Sequence, residues 1–129
     1  MKYKVLQWLG FIAILVVGII HFLLAPDEYK EAHYMGFLFG ANFLAAFIAA
    51  VGILRGATWA WVLGLLIATG SLIGYMLSRT TGMPGMEVED WFTPSGLVAM
   101  AVEDIFILLA FLRAWRITGK RDGQPSMPV

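Results

Sequence analysis

The chain has 129 residues, 60% hydrophobic and 14% charged, with a mean hydropathy of +0.78 and a formal net charge of zero. A soluble domain is nearer half apolar and a quarter charged, so this composition excludes an ordinary water-soluble domain and points to a single membrane domain. Balanced charge gives no footing for a nucleic-acid partner, and the absence of Cys excludes disulfides, thiolate metal centres and cysteine nucleophiles.

The apolar residues fall in four blocks, each near the ~20 residues a helix needs to cross a bilayer. The first span is predicted over residues 5–24. Lys2 and Lys4 precede it as in a signal peptide, but its apolar part is too long and no small-residue cleavage site follows. Gly10, Ile14, Gly18 and His21 fall on one face, where small residues let helices approach closely. Pro26 is expected to stop this helix, leaving Asp27–Glu31 as an acidic turn.

The second span is predicted over 33–54. Gly36 and Gly40 form a G-x-x-x-G pair, and Ala41, Ala45, Ala49 and Gly52 form a second small-residue stripe. Asn42 lies near mid-depth and needs a hydrogen-bond partner from another helix. Arg55-Gly56-Ala57 is so short a connection that spans two and three should be antiparallel neighbours.

The third span, 58–77, packs through Ala60, Gly64, Ala68 and Ser71, and Tyr75 and Arg79 continue that stripe. A long loop follows. Gly82, Pro84 and Gly85 should fold it back over the mouth of the bundle. Ser95 can cap the fourth span, 96–112, on which Gly96, Met100, Glu103, Ile107 and Ala110 share a face. The transmembrane domain thus covers 1–116, and 117–129 reads as a flexible tail.

Seven of the nine basic residues (Lys2, Lys4, Arg55, Arg113, Arg116, Lys120, Arg121) fall on one side of this topology, and only Lys30 and Arg79 on the other. The excess of Lys and Arg on cytoplasmic loops places both termini in the cytoplasm and the acidic loops outside, in a multi-pass protein of the cell membrane. Tyr3, Trp8, Trp59, Trp61 and Trp115 would form the inner aromatic belt, and Tyr29, Tyr34 and Trp91 the outer one.

Two adjacent carboxylates, Glu103 and Asp104, sit within the fourth span. A charge at the bilayer centre costs about 2.5–3.5 kcal/mol even on the mild insertion scale, so such residues face a bundle interior or cavity and take a partner. Glu103 lies ~11 Å below the outer end of its helix. His21, Asn42, Tyr75 and Arg79 reach similar depths on the other three spans, so His21, Asn42, Tyr75, Arg79, Glu103 and Asp104 define a candidate outer-half polar pocket. Arg79, His21 or Tyr75 is the expected partner of Glu103. Asp104 is turned ~100° from Glu103, so one inward partner cannot serve both, and Asp104 is either protonated, snorkels, or faces another subunit. Glu103 is either structural glue or a functional site, and His21 either a packing histidine or a proton carrier.

Candidate metal ligands are His21, His33, Met83, Met86, Met100 and Glu103; imidazole and thioether suit copper or haem iron. Against this, there is no E-x-x-H pair, no H-E-x-x-H, and Met is a common apolar gap-filler. No cofactor is specified, and no nucleophile constellation marks an enzyme.

The strings His21-Phe-Leu-Leu-Ala-Pro26, Gly74-Tyr-Met-Leu-Ser-Arg-Thr-Thr-Gly-Met-Pro-Gly85 and Glu89-Asp-Trp-Phe-Thr-Pro-Ser-Gly96 resemble segments of small four-span prokaryotic membrane proteins of unassigned function. The resemblance covers most of 10–112; it implies the four-span topology and no activity. The expectation is therefore an all-α antiparallel four-helix bundle in the lipid bilayer. Its leading role is a non-enzymatic accessory or scaffold subunit, with larger membrane proteins as candidate partners. The alternative is a binding or transport protein whose outer pocket takes a proton, a metal ion or a quinone-like ligand.

Overall fold

The computed structural model describes residues 3–122, with side chains through Gly119. The fold is all-helical over those residues. Four helices follow one another: α1 (Tyr3–Glu31), α2 (His33–Leu54), α3 (Thr58–Arg79) and α4 (Pro94–Asp122). All four are long and apolar enough to cross a membrane.

Three contacts at successive levels set α1 against α2. Gln7 Nε2 donates to the carbonyls of Ile53 and Leu54, at 2.7 and 2.8 Å. Gly18 lies so close to Ala46 that a Cβ there would collide with the Ala46 methyl, and Gly36 is as close to Tyr29. The Gln7 bonds satisfy two of the carbonyls that a helix leaves open at its C-terminus. The α2–α3 connection is Arg55-Gly56-Ala57. Gly56 takes φ +76° and the Ala57 N–H returns to the Gly52 carbonyl at 3.0 Å, a reversal that a glycine makes without steric cost.

The core lies toward the end of the molecule that carries this turn. Leu6, Ile14, Val17, Ala46, Ile53, Ala60 and Phe106 are all fully buried. Small residues set how near the helices come. Gly10 receives the Trp61 ring and Gly64 the Phe106 ring, and those two rings stack at 5.6 Å. Trp61, 4% exposed, is therefore a core residue and not part of an interfacial belt; Gly10 opens the space that draws it inward. Trp8, Trp59 and Trp115 at this end are exposed.

Four expectations need correction. Pro26 does not end the first helix, which runs to Glu31. Proline removes the single bond to the Phe22 carbonyl, and the next turns are held by Tyr29, which stacks on His33 at 4.3 Å and packs on Gly36. Gly36 and Gly40 do not act as a pair, since nothing lies within 4 Å of a Cβ at Gly40. Ala41 is exposed; the buried line on α2 runs through Ala46, Ala49, Ala50 and Ile53, because α1 crosses that face. The fourth helix continues well past 112, so 117–122 of the expected tail are helical; 123–129 lie outside the described residues.

Candidate functional site

The half of the bundle away from the α2–α3 turn is built differently. Here the helices surround a cavity of about 790 Å³, within the usual range of small-molecule pockets. Each helix contributes a polar side chain to its wall: His21 from α1, Asn42 from α2, Ser71, Tyr75 and Arg79 from α3, and Glu103 from α4. The remaining wall is largely aliphatic and aromatic, including Ile20, Leu24, Leu38, Phe39, Leu66 and Ile73.

The loop between α3 and α4 closes one end. Met83, Met86, Glu87, Glu89 and Asp90 all border the cavity. Gly82 (φ +80°) and Gly85 (φ +74°) make the reversals, and the Gly82 N–H caps α3 through the Leu77 carbonyl at 2.8 Å. The loop is tied to α3 by the Glu89 N–H on the Ser78 carbonyl, 2.9 Å. It is tied to α2 by the Tyr34 hydroxyl, which donates to the Pro84 carbonyl. The Tyr75 hydroxyl donates to the Trp91 carbonyl.

Arg79 is the centre of this closure. Its guanidinium pairs with Glu89 at 2.8 Å and donates to the Asp90 carbonyl, Ser78 Oγ and Thr93 Oγ1 at 3.1, 2.6 and 3.1 Å. It also lies 3.9 Å from the centre of the Tyr75 ring. Gly96 opens the first turn of α4 to this group; a Cβ there would press on Tyr75, Thr93 and Arg79.

Glu103 is 2% exposed, and among the described residues it has neither a hydrogen bond nor an ion pair. The expected pairing with Arg79, His21 or Tyr75 is absent. Arg79 has a partner in Glu89 that keeps contact with water, which costs far less desolvation than a pair in the bilayer interior. The Tyr75 hydroxyl is taken by the loop. His21 is buried, with its ring 4.8 Å from that of Phe39, and its Nδ1 bonds the Val17 carbonyl at 2.8 Å. Nδ1 there is the donor, which leaves Nε2 of the neutral ring as an acceptor. Asn42 finds its interhelical partner in Ser71 Oγ, 2.8 Å, while its Oδ1 is buried without one.

His21, Asn42, Tyr75, Arg79 and Glu103 thus border one cavity, whereas Asp104 does not. The ~100° step along the helix carries Asp104 to the exposed surface. Of the candidate metal ligands, His21, Met83, Met86 and Glu103 line the cavity. His33 is exposed and stacked on Tyr29, and Met100 is not part of the wall. No group of three His, Asp or Glu that could hold a metal forms among the described residues.

One wall of the cavity carries glycines and side chains that also reach the outer surface. Gly70 and Gly74 of α3 have no atom within 4 Å of where a Cβ would stand. Leu38 and Ile73 are mostly exposed, and Leu66 is 66% exposed, although all three border the cavity. Side chains of both α2 and α3 thus run from the cavity to the outer apolar surface, and this α2–α3 seam links the two. Glycine at 70 and 74, four apart on one face, was the sequence signal for this seam. No family model, no curated protein and no solved structure matches the chain.

Proposed function

We propose that the protein is a membrane-embedded binding protein whose cavity takes an amphipathic molecule from the bilayer, of the kind that joins a small polar ring to an apolar tail, as a quinone does. The observation that carries this reading is Glu103. It is buried, has no partner among the described residues, and faces a cavity large enough for a ligand. A carboxyl group in that position gains a hydrogen bond only from what enters. Asn42 Oδ1, also unpartnered, adds a second acceptor beside a predominantly apolar wall. The α2–α3 seam, where Leu38, Leu66 and Ile73 are both exposed and part of the cavity wall, gives such a ligand a route from the lipid. Histidine and thioether groups in the wall leave copper or haem iron as the metal alternative, but among the described residues no three His, Asp or Glu side chains converge.

In this reading the helices form an antiparallel bundle in the cell membrane. Both termini and the α2–α3 turn are cytoplasmic, and the α3–α4 loop is outside. Seven of nine basic residues on one side support that orientation. The exposed apolar surface asks for lipid, and nothing in it selects a larger protein partner. Single cysteines at Glu28 or Glu87 should react with an impermeant thiol reagent in intact cells and one at Arg55 should not; the reverse pattern would refute the orientation.

The ligand reading is tested by titrating detergent-solubilised protein with a short-chain benzoquinone and following heat. Saturable binding is expected. It should weaken at least tenfold in Glu103→Leu and far less in Glu103→Gln, whose amide still accepts and donates hydrogen bonds. Binding that is absent, or indifferent to both changes, would sink the reading.

A further inference from the structure

The opposite end of the bundle holds a second buried ionisable group. Arg113 of α4 is 7% exposed. Its Nη2 donates to Thr58 Oγ1 at 3.1 Å and reaches the Tyr3 hydroxyl at 3.4 Å. Its guanidinium carbon lies 5.5 Å from the Trp61 ring. Among the described residues only Nη2 of its three nitrogens has a hydrogen-bond partner, and Nε is sealed from solvent with none. Among the described residues no carboxylate pairs with it. The cation is thus held by two hydroxyl oxygens and a ring face. Neither supplies the counter-charge that a buried guanidinium calls for.

The surroundings are arranged for an anion. Thr58 is the first residue of α3, and the residue before it, Ala57, offers no side-chain cap. The Ala60 N–H is taken by the Ala57 carbonyl at 3.2 Å, which leaves, among the described residues, the N–H groups of Thr58 and Trp59 without a backbone partner at the positive end of the helix dipole. Thr58 and Tyr3 are exposed and form the rim, while Arg113 forms the floor. Arg55 stands three residues before Thr58, in the same turn. The exposed rings of Trp8, Trp59 and Trp115 belong to this end, and exposed tryptophans settle at the depth of lipid head groups.

We propose that Arg113, Thr58, Tyr3 and the open N-terminus of α3 bind a phosphate group, namely that of an anionic lipid head group. A guanidinium is a charge-assisted donor suited to phosphate oxygens, and the membrane supplies phosphates at this depth. Basic recesses between helices on one face of a membrane bind head groups for the same reason. This site lies at the other end of the molecule from the cavity and does not depend on what the cavity binds.

The test is thermal unfolding in mild detergent, with short-chain phosphatidylglycerol, short-chain phosphatidylcholine or inorganic phosphate added at matched concentrations. The expected result is a rise in Tm of several degrees with phosphatidylglycerol and little with the other two. In Arg113→Gln the difference between the two lipids should vanish. Thr58→Val and Tyr3→Phe change only the exposed rim, so they decide the matter should Arg113→Gln fail to fold; each should lose at least half of that difference. An equal rise with both lipids, a rise matched by inorganic phosphate, or rim variants with an undiminished response would overturn the assignment.

Discussion

The two halves of this bundle solve the same packing problem in opposite ways. Toward the α2–α3 turn, Gly10 and Gly64 accept the rings of Trp61 and Phe106, and the helices close on one another. Toward the α3–α4 loop, Gly70 and Gly74 accept nothing and the helices stand around a cavity. Small residues in a membrane helix are thus no guarantee of close approach. They permit it, and whether it occurs depends on a large side chain opposite. The closed half fixes the relative positions of the helices, and the open half uses them.

The largest expected effect contrasts glycines of the same helix. Gly64→Leu would place a branched side chain where the Phe106 ring already lies, and overpacking of that kind costs about 3 kcal/mol or more. Gly70→Leu meets open space, so it should leave unfolding in detergent almost unchanged while hindering ligand uptake through the seam. Equal loss of stability in both variants would erase the distinction between the halves.

A smaller effect is expected at the loop. Arg79→Met removes the ion pair with Glu89 and three further hydrogen bonds. Charge-assisted bonds at a partly wet site contribute roughly 1.5–3 kcal/mol, most of which should appear as loosening of residues 80–93 and not as global unfolding. Limited proteolysis should cut the loop faster with the helices intact. Unaltered cleavage would show that the loop is held by something else. The smallest effect is Asn42→Ala, which deletes one interhelical bond to Ser71. Such bonds average about 0.6 kcal/mol in a bilayer, and a loss much larger than that would mean that the cavity half is as tightly coupled as the other.

The closed half was harder to read in the sequence than the open one, and the reason is physical. Helix number and the second span came from length and hydropathy, which the backbone must obey in lipid. The polar residues that border the cavity could be placed because carboxylate, imidazole and amide groups are costly on a lipid face. Trp61, by contrast, is amphipathic and suits an interface as well as a core. Only the hollow at Gly10, on another helix, decides between them. The partner of Arg79 was also hidden, because Glu89 comes from a loop whose path depends on two left-handed glycines. Arg113 reads as one more basic residue at the end of a span. Its burial follows from Thr58 and Tyr3, separated from it by 55 and 110 positions, a distance that no local pattern records.

The unequal connections between the helices carry a consequence for biosynthesis. α2 and α3 are joined by three residues, so in the membrane reading proposed above they can enter the bilayer together as a hairpin, beside an α1 already made. α4 comes last, after the long loop, and brings Glu103, Asp104 and Arg113 with it. Alone in lipid, each of the two carboxylates would cost on the order of 2.5–3.5 kcal/mol near mid-depth. Against the first three helices, Glu103 and Arg113 are shielded. In the membrane reading proposed above, insertion of the last helix and completion of the bundle are one event. A chain cut before Pro94 would lack the wall of the cavity and the guanidinium at the opposite end together.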